Sequence, residues 1–456
     1  IPQLGEISFS DFSRAKEAIA AGEAAAQADE SRLRALAVSD AEWATYQAHH
    51  RRRHTSDVVV DEVRITNTGP LDDKIVAHRI KVPTGEPLDT AKLSSQLLRL
   101  YGLDVFSPIR YDFVREDGKG VLKIETPPKP YGRSSLQFGF NLVDDFRGDS
   151  GFNLTFSHLL NPVNRMGGEW RNIVQVGQNS YFSTEFYQPF GAAMAWFVEP
   201  QYQIRRDKYR QYDVNGGAVA EFRVSGQAVT VTAGRVFGNW GQLAVGVFRA
   251  DESSHPKIGP ATLTEGTTND GGVGVTFHVD TADTVTWPRD GAQVDVEYRR
   301  SLEGFGADAD GDTVKANAGM AKSFGKNVLF GSVEGSTTSS ESATTVANQY
   351  FLGGFLHLSG LAYNQLVGDR GVFGRLLYYR ELTTFDLGSL TQRMYAGVSL
   401  EGGNVYNPGD PMTWQSLRYS GSVYAGADTV VGPAYLGFGY AQGGRTSVYL
   451  IIGQRF

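Results

Sequence analysis

The chain has 456 residues, a formal net charge of −7 and no cysteine. Disulfides and thiolate metal sites are therefore excluded, and a pI near 5.7 argues against a nucleic-acid partner, because phosphate contacts need a basic surface. No apolar stretch approaches the ~20 residues of a spanning helix, and mean hydropathy is −0.28. Neither fact counts against a membrane barrel, whose strands are apolar on one face only.

Residues 1–56 read as helical and solvated. DFSRAKEAIAAGEAAAQADESRLRALAVSDAEWATYQAHHRRR (11–53) is rich in good helix formers. Ser39 followed by Glu42 fits a capping box that starts a helix at Asp40. Arg51–Arg53 is a solvated helix end, with a protease-sensitive linker as the sharper reading. No secretory signal opens the sequence, and Ile1 begins as though in mid-domain. The expectation is the C-terminal portion of a longer precursor.

Residues 57–130 read as a small α+β unit. DVVVDEVRI (57–65) is a strand, and LDDKIVAHRI (71–80) sets Leu71, Ile75, Val76 and Ile80 near one helical face. Asp89 caps a helix over 89–102 with Leu93, Leu97, Leu98 and Tyr101 on its apolar face and Gly102 as its stop. VFSPIRYDFV (105–114) and GVLKIET (120–126) are strands flanking a turn at Asp117-Gly118. The order strand, helix, helix, strand, strand is similar to a POTRA (polypeptide-transport-associated) module. PPKPYG (127–132) follows as a stiff hinge.

Residues 131–456 alternate apolar and polar positions almost throughout. Leu136, Phe138, Phe140 and Leu142 share one face, as do Phe152, Leu154 and Phe156; Val294, Val296 and Tyr298 repeat the pattern. Sustained over this length without helices, it predicts a transmembrane antiparallel barrel of about sixteen strands. Tyrosines fit interfacial girdles. Short turns are expected at Asn161–Asn164, Phe237–Gln242 and Lys326-Asn327, and long polar loops at Asp251–Asp270, Ser339–Gly371 and Asn407–Gln415. The last strand, TSVYLIIGQRF (446–456), ends on Phe456, an aromatic terminal signal for barrel assembly machinery.

LQFGFNLVDDFRGDSGFNL, NPVNRMGGEWRN, STEFYQPF, FGNWGQLAVGVFR, YFLGGFLHLSGL and AGVSLEGGNVYN resemble the barrel of bacterial patatin-like phospholipases. In that family a lipase precedes one POTRA module and a barrel of the bacterial-surface-antigen (outer-membrane assembly factor) superfamily. IPQLGEISFSDFSRAKEAIAAGEAAA (1–26) resembles the close of the lipase domain. The resemblance implies an outer-membrane anchor or translocator in a Gram-negative bacterium, with the POTRA module in the periplasm. It also implies as partners outer-membrane lipid and lipopolysaccharide, the chain's own N-terminal patatin domain and the barrel assembly machinery.

Two departures stand out. Where the superfamily's inward loop carries a Val-Arg-Gly-aromatic tip, this chain reads Leu358-Ser359-Gly360-Leu361, and TWPRDG (286–291) replaces a Phe-Pro-x-x-Gly turn. No G-x-S-x-G elbow occurs; Gly397-Val398-Ser399-Leu400-Glu401 lacks the second glycine. Asp270-Gly271-Gly272 spells the lipase aspartate motif but reads as turn chemistry at a loop–strand junction. The chain itself is thus expected to be non-catalytic, with no cofactor and no resident metal. His50 and His54 bracket three arginines, and Asp308, Asp310 and Asp312 lack the rest of a calcium loop, so they read as a hydrated tip able to recruit divalent ions between lipopolysaccharide phosphates. Glu185, Glu221, Glu297, Arg299 and Glu401 fall on polar strand phases. They line either a wet interior of screened charges or a polar conduit gated by the loop around Gly353, Gly354, Leu358, Ser359, Gly360 and Leu361. The rivals to an anchor or translocator are an assembly factor for other barrels and a diffusive pore.

Overall fold

Backbone groups immersed in hydrocarbon find no water, so a chain crossing by half-apolar strands must pair both edges of every strand. The computed structural model does this with sixteen antiparallel strands closed on themselves. It describes residues 4, 7, 15–55, 58–146, 150–213, 216–260, 263, 265–339, 346–387, 390–429 and 431–453. No described helix is long and apolar enough to cross a membrane, which has no bearing on strands.

Three helices come first: α1 (Ala15–Ala28), α2 (Glu30–Arg34) and α3 (Asp40–Thr55). The capping box forms: Ser39 N–H donates to Glu42 Oε2 at 2.9 Å, and Glu42 N–H donates to Ser39 Oγ at 3.3 Å. Part of the 1–26 segment lies outside the described residues.

The α+β unit contains β1 (Val59–Val60), β2 (Glu62–Asn67), α4 (Asp73–Arg79), β3 (Glu86–Pro87), α5 (Thr90–Tyr101), β4 (Arg110–Glu116) and β5 (Lys119–Thr126). Central β5 runs parallel to β2 and antiparallel to β4, and both helices pack on one face of this sheet around Leu71, Val76, Leu93, Leu100, Leu122 and Ile124. The expected strand 57–65 divides at Asp61, whose carboxylate accepts the Gly120 N–H, so β1 pairs with β3 instead. The strand expected from Val105 starts only beyond Pro108, which has no N–H for a ladder. In α5 the buried stripe is Leu93, Leu97 and Leu100, while Leu98 and Tyr101 face solvent. Asp117 and Gly118 both take positive φ, 49° and 81°, as a two-residue primed turn requires.

The barrel begins with β6 (Ser134–Asp144), β7 (Ser150–Leu160), β8 (Glu169–Gly177), β9 (Ser180–Phe190), β10 (Trp196–Tyr212) and β11 (Ala218–Phe237). It continues with β12 (Gly241–Ile258), β13 (Gly266–Asp280), β14 (Gly291–Ser301), β15 (Gly311–Phe324) and β16 (Asn327–Thr338). A two-stranded insert, β17 (Tyr350–Leu352) with β18 (Leu366–Gly368), lies in the connection that follows β16 and forms its own small sheet. The wall resumes with β19 (Arg370–Leu387), β20 (Leu390–Tyr406), β21 (Arg418–Thr429), β22 (Gly432–Ala441) and β23 (Arg445–Ile452), which returns to β6. The segment 251–270 was expected as a loop but is mostly strand. Its residues are polar on both faces, which hides the alternation, yet neighbouring strands still satisfy its backbone. Asp270-Gly271-Gly272 accordingly lies inside β13 rather than at a loop junction.

The α+β unit sits against one end of the barrel, here called proximal. Asp72 N–H donates to Arg165 O at 2.8 Å, Asn161 Nδ2 to Leu103 O at 3.2 Å, and Met194 packs against the unit's core. The turn expected at Asn161–Asn164 accordingly extends from 161 to 168 to make this joint. Burial there holds the Arg79 guanidinium below its ordinary pKa, with Arg99 adding to the effect. Trp170, Phe190, Trp196, Trp240 and Phe324 point outward near this end, and Tyr419 and Tyr440 near the distal one. Between them the outer skin exposes Val231, Val245, Val247, Val398, Leu400 and Leu436. Such a continuous apolar surface is tolerable only against lipid.

Truncating fully buried Leu122 to alanine should cost the α+β unit about 2–5 kcal/mol. Hydrogen exchange on the intact protein is expected to quicken across β2, β4 and β5 while the barrel ladder keeps its protection.

Candidate functional site in the barrel lumen

The connection between β16 and β19 turns into the barrel. Its tip is tightly wound, with positive φ at Gly353, Gly354, Leu356, Leu358, Gly360 and Asn364. A Cβ on Gly360 would lie 2.6 Å from the Ala441 nitrogen, so only glycine lets the tip lie flat against β22. Leu352, Leu358, Ser359 and Leu361 are essentially inaccessible to solvent.

Glu401, on the inward phase of β20, holds this tip. Its carboxylate accepts from Ser359 N–H at 2.7 Å, Ser359 Oγ at 2.8 Å, Ser399 Oγ at 2.5 Å and Ser420 Oγ at 3.1 Å. Gly360 N–H donates to the Tyr449 hydroxyl at 2.8 Å, which in turn donates to Leu361 O at 2.9 Å. The loop tip is neutral, and a buried carboxylate is satisfied by four donors in place of a tip arginine. A second wall carboxylate, Glu334 on β16, receives Tyr350 OH at 2.7 Å and lies 2.5 Å from His357 Nε2. The nearby cation is on the wall: Arg375 on β19 donates to Ser332 Oγ at 3.0 Å and Leu356 O at 3.1 Å.

The proximal turn between β13 and β14 also enters the lumen. Trp287 stacks on Tyr395 with ring centroids 4.2 Å apart and on Tyr435 at 4.9 Å, with Tyr379 edge-on at 5.4 Å. Arg289 fastens the turn by donating to Glu381 at 2.8 Å and to Gly325 O. From the distal side Phe355 of the loop reaches Tyr424 and Tyr435 at 5.7 and 5.8 Å. Loop and turn therefore meet through one aromatic cluster on the β19–β22 wall. These tyrosines are interior residues, not girdle residues; their inward strand phase was the signal that could have revealed it.

The opposite wall keeps an open cavity of about 350 Å³, lined by Arg205, Glu252, Asp270, Glu297, Arg299 and Lys315 among others. Arg205 pairs with Glu252 at 2.8 Å; Arg299 lies over the Phe248 ring at 3.8 Å, with Asp270 and Glu297 at 3.7 and 3.9 Å. Glu185 lies nearer the proximal end, 3.1 Å from Arg171. The structure thus brings Glu297 and Arg299 to the cavity and Glu401 to the loop, with Glu185 elsewhere on the inner wall. Glu221 does not belong with them. It shares its strand phase with outward Val229 and Val231, near the distal end, and pairs with Arg210 at 3.3 Å. The slip arises because polar residues occupy both faces once the strand rises above the apolar band. Asp308, Asp310 and Asp312 each serve a different partner, namely Asn269, the Glu303 N–H and Arg300. Phe456 lies outside the described residues.

Replacing Glu401 with alanine removes the acceptor of four hydrogen bonds, two of them from buried Ser359 of the loop, so the docked loop should lose about 3 kcal/mol or more. In planar bilayers the Glu401→Ala protein is expected to show frequent open events. Removing 353–361 should raise conductance, and adding Trp287→Ala should raise it further, because the proximal turn occludes the lumen independently.

No family model matches the sequence, and no curated protein matches it. Solved structures do resemble it. BamA from Haemophilus ducreyi lacking POTRA domains 1–3 superposes with a TM-score of 0.62 at 14% identity, over 88% of this chain and 85% of that one. CdiB from Escherichia coli gives 0.57 at 12% identity, over 88% and 77%, and CdiB from Acinetobacter baumannii 0.55 at 10%, over 87% and 74%. At these identities the likeness is one of fold: the chain has the closed sixteen-stranded architecture of the BamA and CdiB barrels.

Proposed function

We propose that this chain is an outer-membrane anchor and translocator module, itself non-catalytic, with its α+β unit acting as a POTRA domain in the periplasm. The observation that carries the reading is the seam. Among the described residues, strands β23 and β6 share three residue pairs, Leu450↔Asp144, Ile451↔Val143 and Ile452↔Leu142, against eleven for β6–β7 and eight for β22–β23. Among the described residues the ladder has its fewest pairs at this one junction, while the lumen is entered by a plug from each end. A lumen packed in this way favours passage or insertion through the seam over free diffusion through a pore.

The POTRA reading is supported by the strand and helix order, by the docking under the proximal turns, and by similarity to BamA over more of the chain than its barrel alone supplies. Among the described residues the outer edge of β4 carries no partner strand, so it can accept an extended segment by strand addition. The finer proposal, that the module serves a patatin-like phospholipase domain, rests on the segments in 1–26 and 134–407 that resemble that family. The rival reading, an assembly factor for other barrels, would use the same seam; the neutral loop tip counts against it.

The chain has no cysteine, so Asp144→Cys with Leu450→Cys places a clean cross-link at paired positions. Oxidation is expected to abolish surface exposure of the N-terminal portion in protease-shaved cells, and reduction to restore it. Display that continues with the seam locked would sink the translocator reading. Loss of other barrels on depletion of the protein would favour the assembly factor.

A further inference from the structure

Strands β10, β11 and β12 are 17, 20 and 18 residues long, well beyond the ~9–11 that span a bilayer. Trp196, Phe237 and Trp240 lie at their proximal ends, so the surplus rises from the distal side. The outward phase of these strands is apolar through Ile204, Val229, Val231, Val245 and Val247, and then changes character. Beyond the band, Arg206 is paired in register with Ser225, and Ser225 with Ser253. One row further out, Arg223 stands between Lys208 and His255.

Like charges placed directly opposite one another destabilise a sheet. Here Lys208 faces Arg223, with Arg206 on the diagonal and exposed Lys257 at a bulge in β12. The carboxylates that could offset them are engaged: Glu221 by Arg210 and Lys208, Asp251 by Gln227, and Glu265 by His255. Arg206 and Arg223 are exposed, and among the described residues neither has a carboxylate within ion-pair distance.

We infer that this patch binds the phosphate groups of lipopolysaccharide in the outer leaflet, an inference that rests on the outer-membrane reading above. Arg206 follows exposed Ile204 by two residues, about 7 Å along a strand, which sets its guanidinium where acyl chains give way to phosphorylated sugar. Guanidinium forks recognise phosphate bidentately, and Ser225 and Ser253 add hydroxyls beside them. Phospholipid headgroups of the inner leaflet lie at the proximal end and do not reach it. The anion supplies the charge balance that the sheet lacks.

The test uses the full chain in lipopolysaccharide-free nanodiscs, probed with lipid A bisphosphate, phosphatidylglycerol and inorganic phosphate. Lipid A alone is expected to raise the unfolding temperature, with an affinity that falls as salt rises. Arg206→Ala with Arg223→Ala should weaken that affinity about tenfold or more, and the paired Arg→Lys variant should retain part of it. Native heat-modifiable mobility on gels certifies that each variant is folded. Equal stabilisation by phosphatidylglycerol or by inorganic phosphate overturns the inference, as does unchanged lipid A affinity in a folded alanine variant. Fractionation of the same cells separates the two readings: absence from the outer membrane defeats the localisation, whereas presence with unchanged affinity defeats only the patch.

Discussion

Every strand of this barrel owes its place to the cost of leaving a peptide group unpaired in hydrocarbon. A strand with one wet and one greasy face cannot be buried alone, and each free edge in lipid would forfeit hydrogen bonds worth several kcal/mol per group. Closure removes edges. The cylinder must then tolerate whatever its least-paired junction is, and among the described residues that junction joins the first and last strands. Gly453, with φ of 90° and Phe140 O only 1.5 Å from where a Cβ would stand, shows how closely the backbone after β23 approaches β6.

The interior is organised by a different rule. A lumen wide enough for sixteen strands is too wide for wall side chains to fill, so two connections are folded into it. The distal loop is held by polar contacts converging on Glu401 and Glu334; the proximal turn is held by stacking of Trp287 against wall tyrosines. Polar satisfaction fixes the loop's position sharply, because a displaced donor leaves a buried carboxylate underbonded. Aromatic stacking is less directional and tolerates sliding. The two plugs are therefore unequal in kind, although they share Tyr424 and Tyr435 as neighbours.

Wall chemistry follows this division. The β19–β22 side is aromatic and closed, while the β10–β15 side carries paired charges around open space. Charges on that side are mostly neutralised across strands, which keeps water in the lumen without concentrating one sign of ion. The same strands, continued above the apolar band, turn their charge outward at Arg206 and Arg223. One ladder thus lines a polar bore below and presents exposed cations above.

The sequence alone was sufficient for what depends on near neighbours. Strand alternation in 134–142, 151–159 and 292–299, the Ser39–Glu42 cap and the Asp117-Gly118 turn all came out as their spacing requires, since each is decided within a few residues. Where both faces are polar, as in 251–270, alternation disappears, so strand reads as loop and Glu221 reads as inward when its strand phase is outward. The tertiary structure alone decided what fills the lumen. Ser359 meets Glu401 across 42 positions and Tyr379 meets Pro288 across 91. Such pairs leave no local periodicity, because barrel closure, rather than chain proximity, brings them within reach.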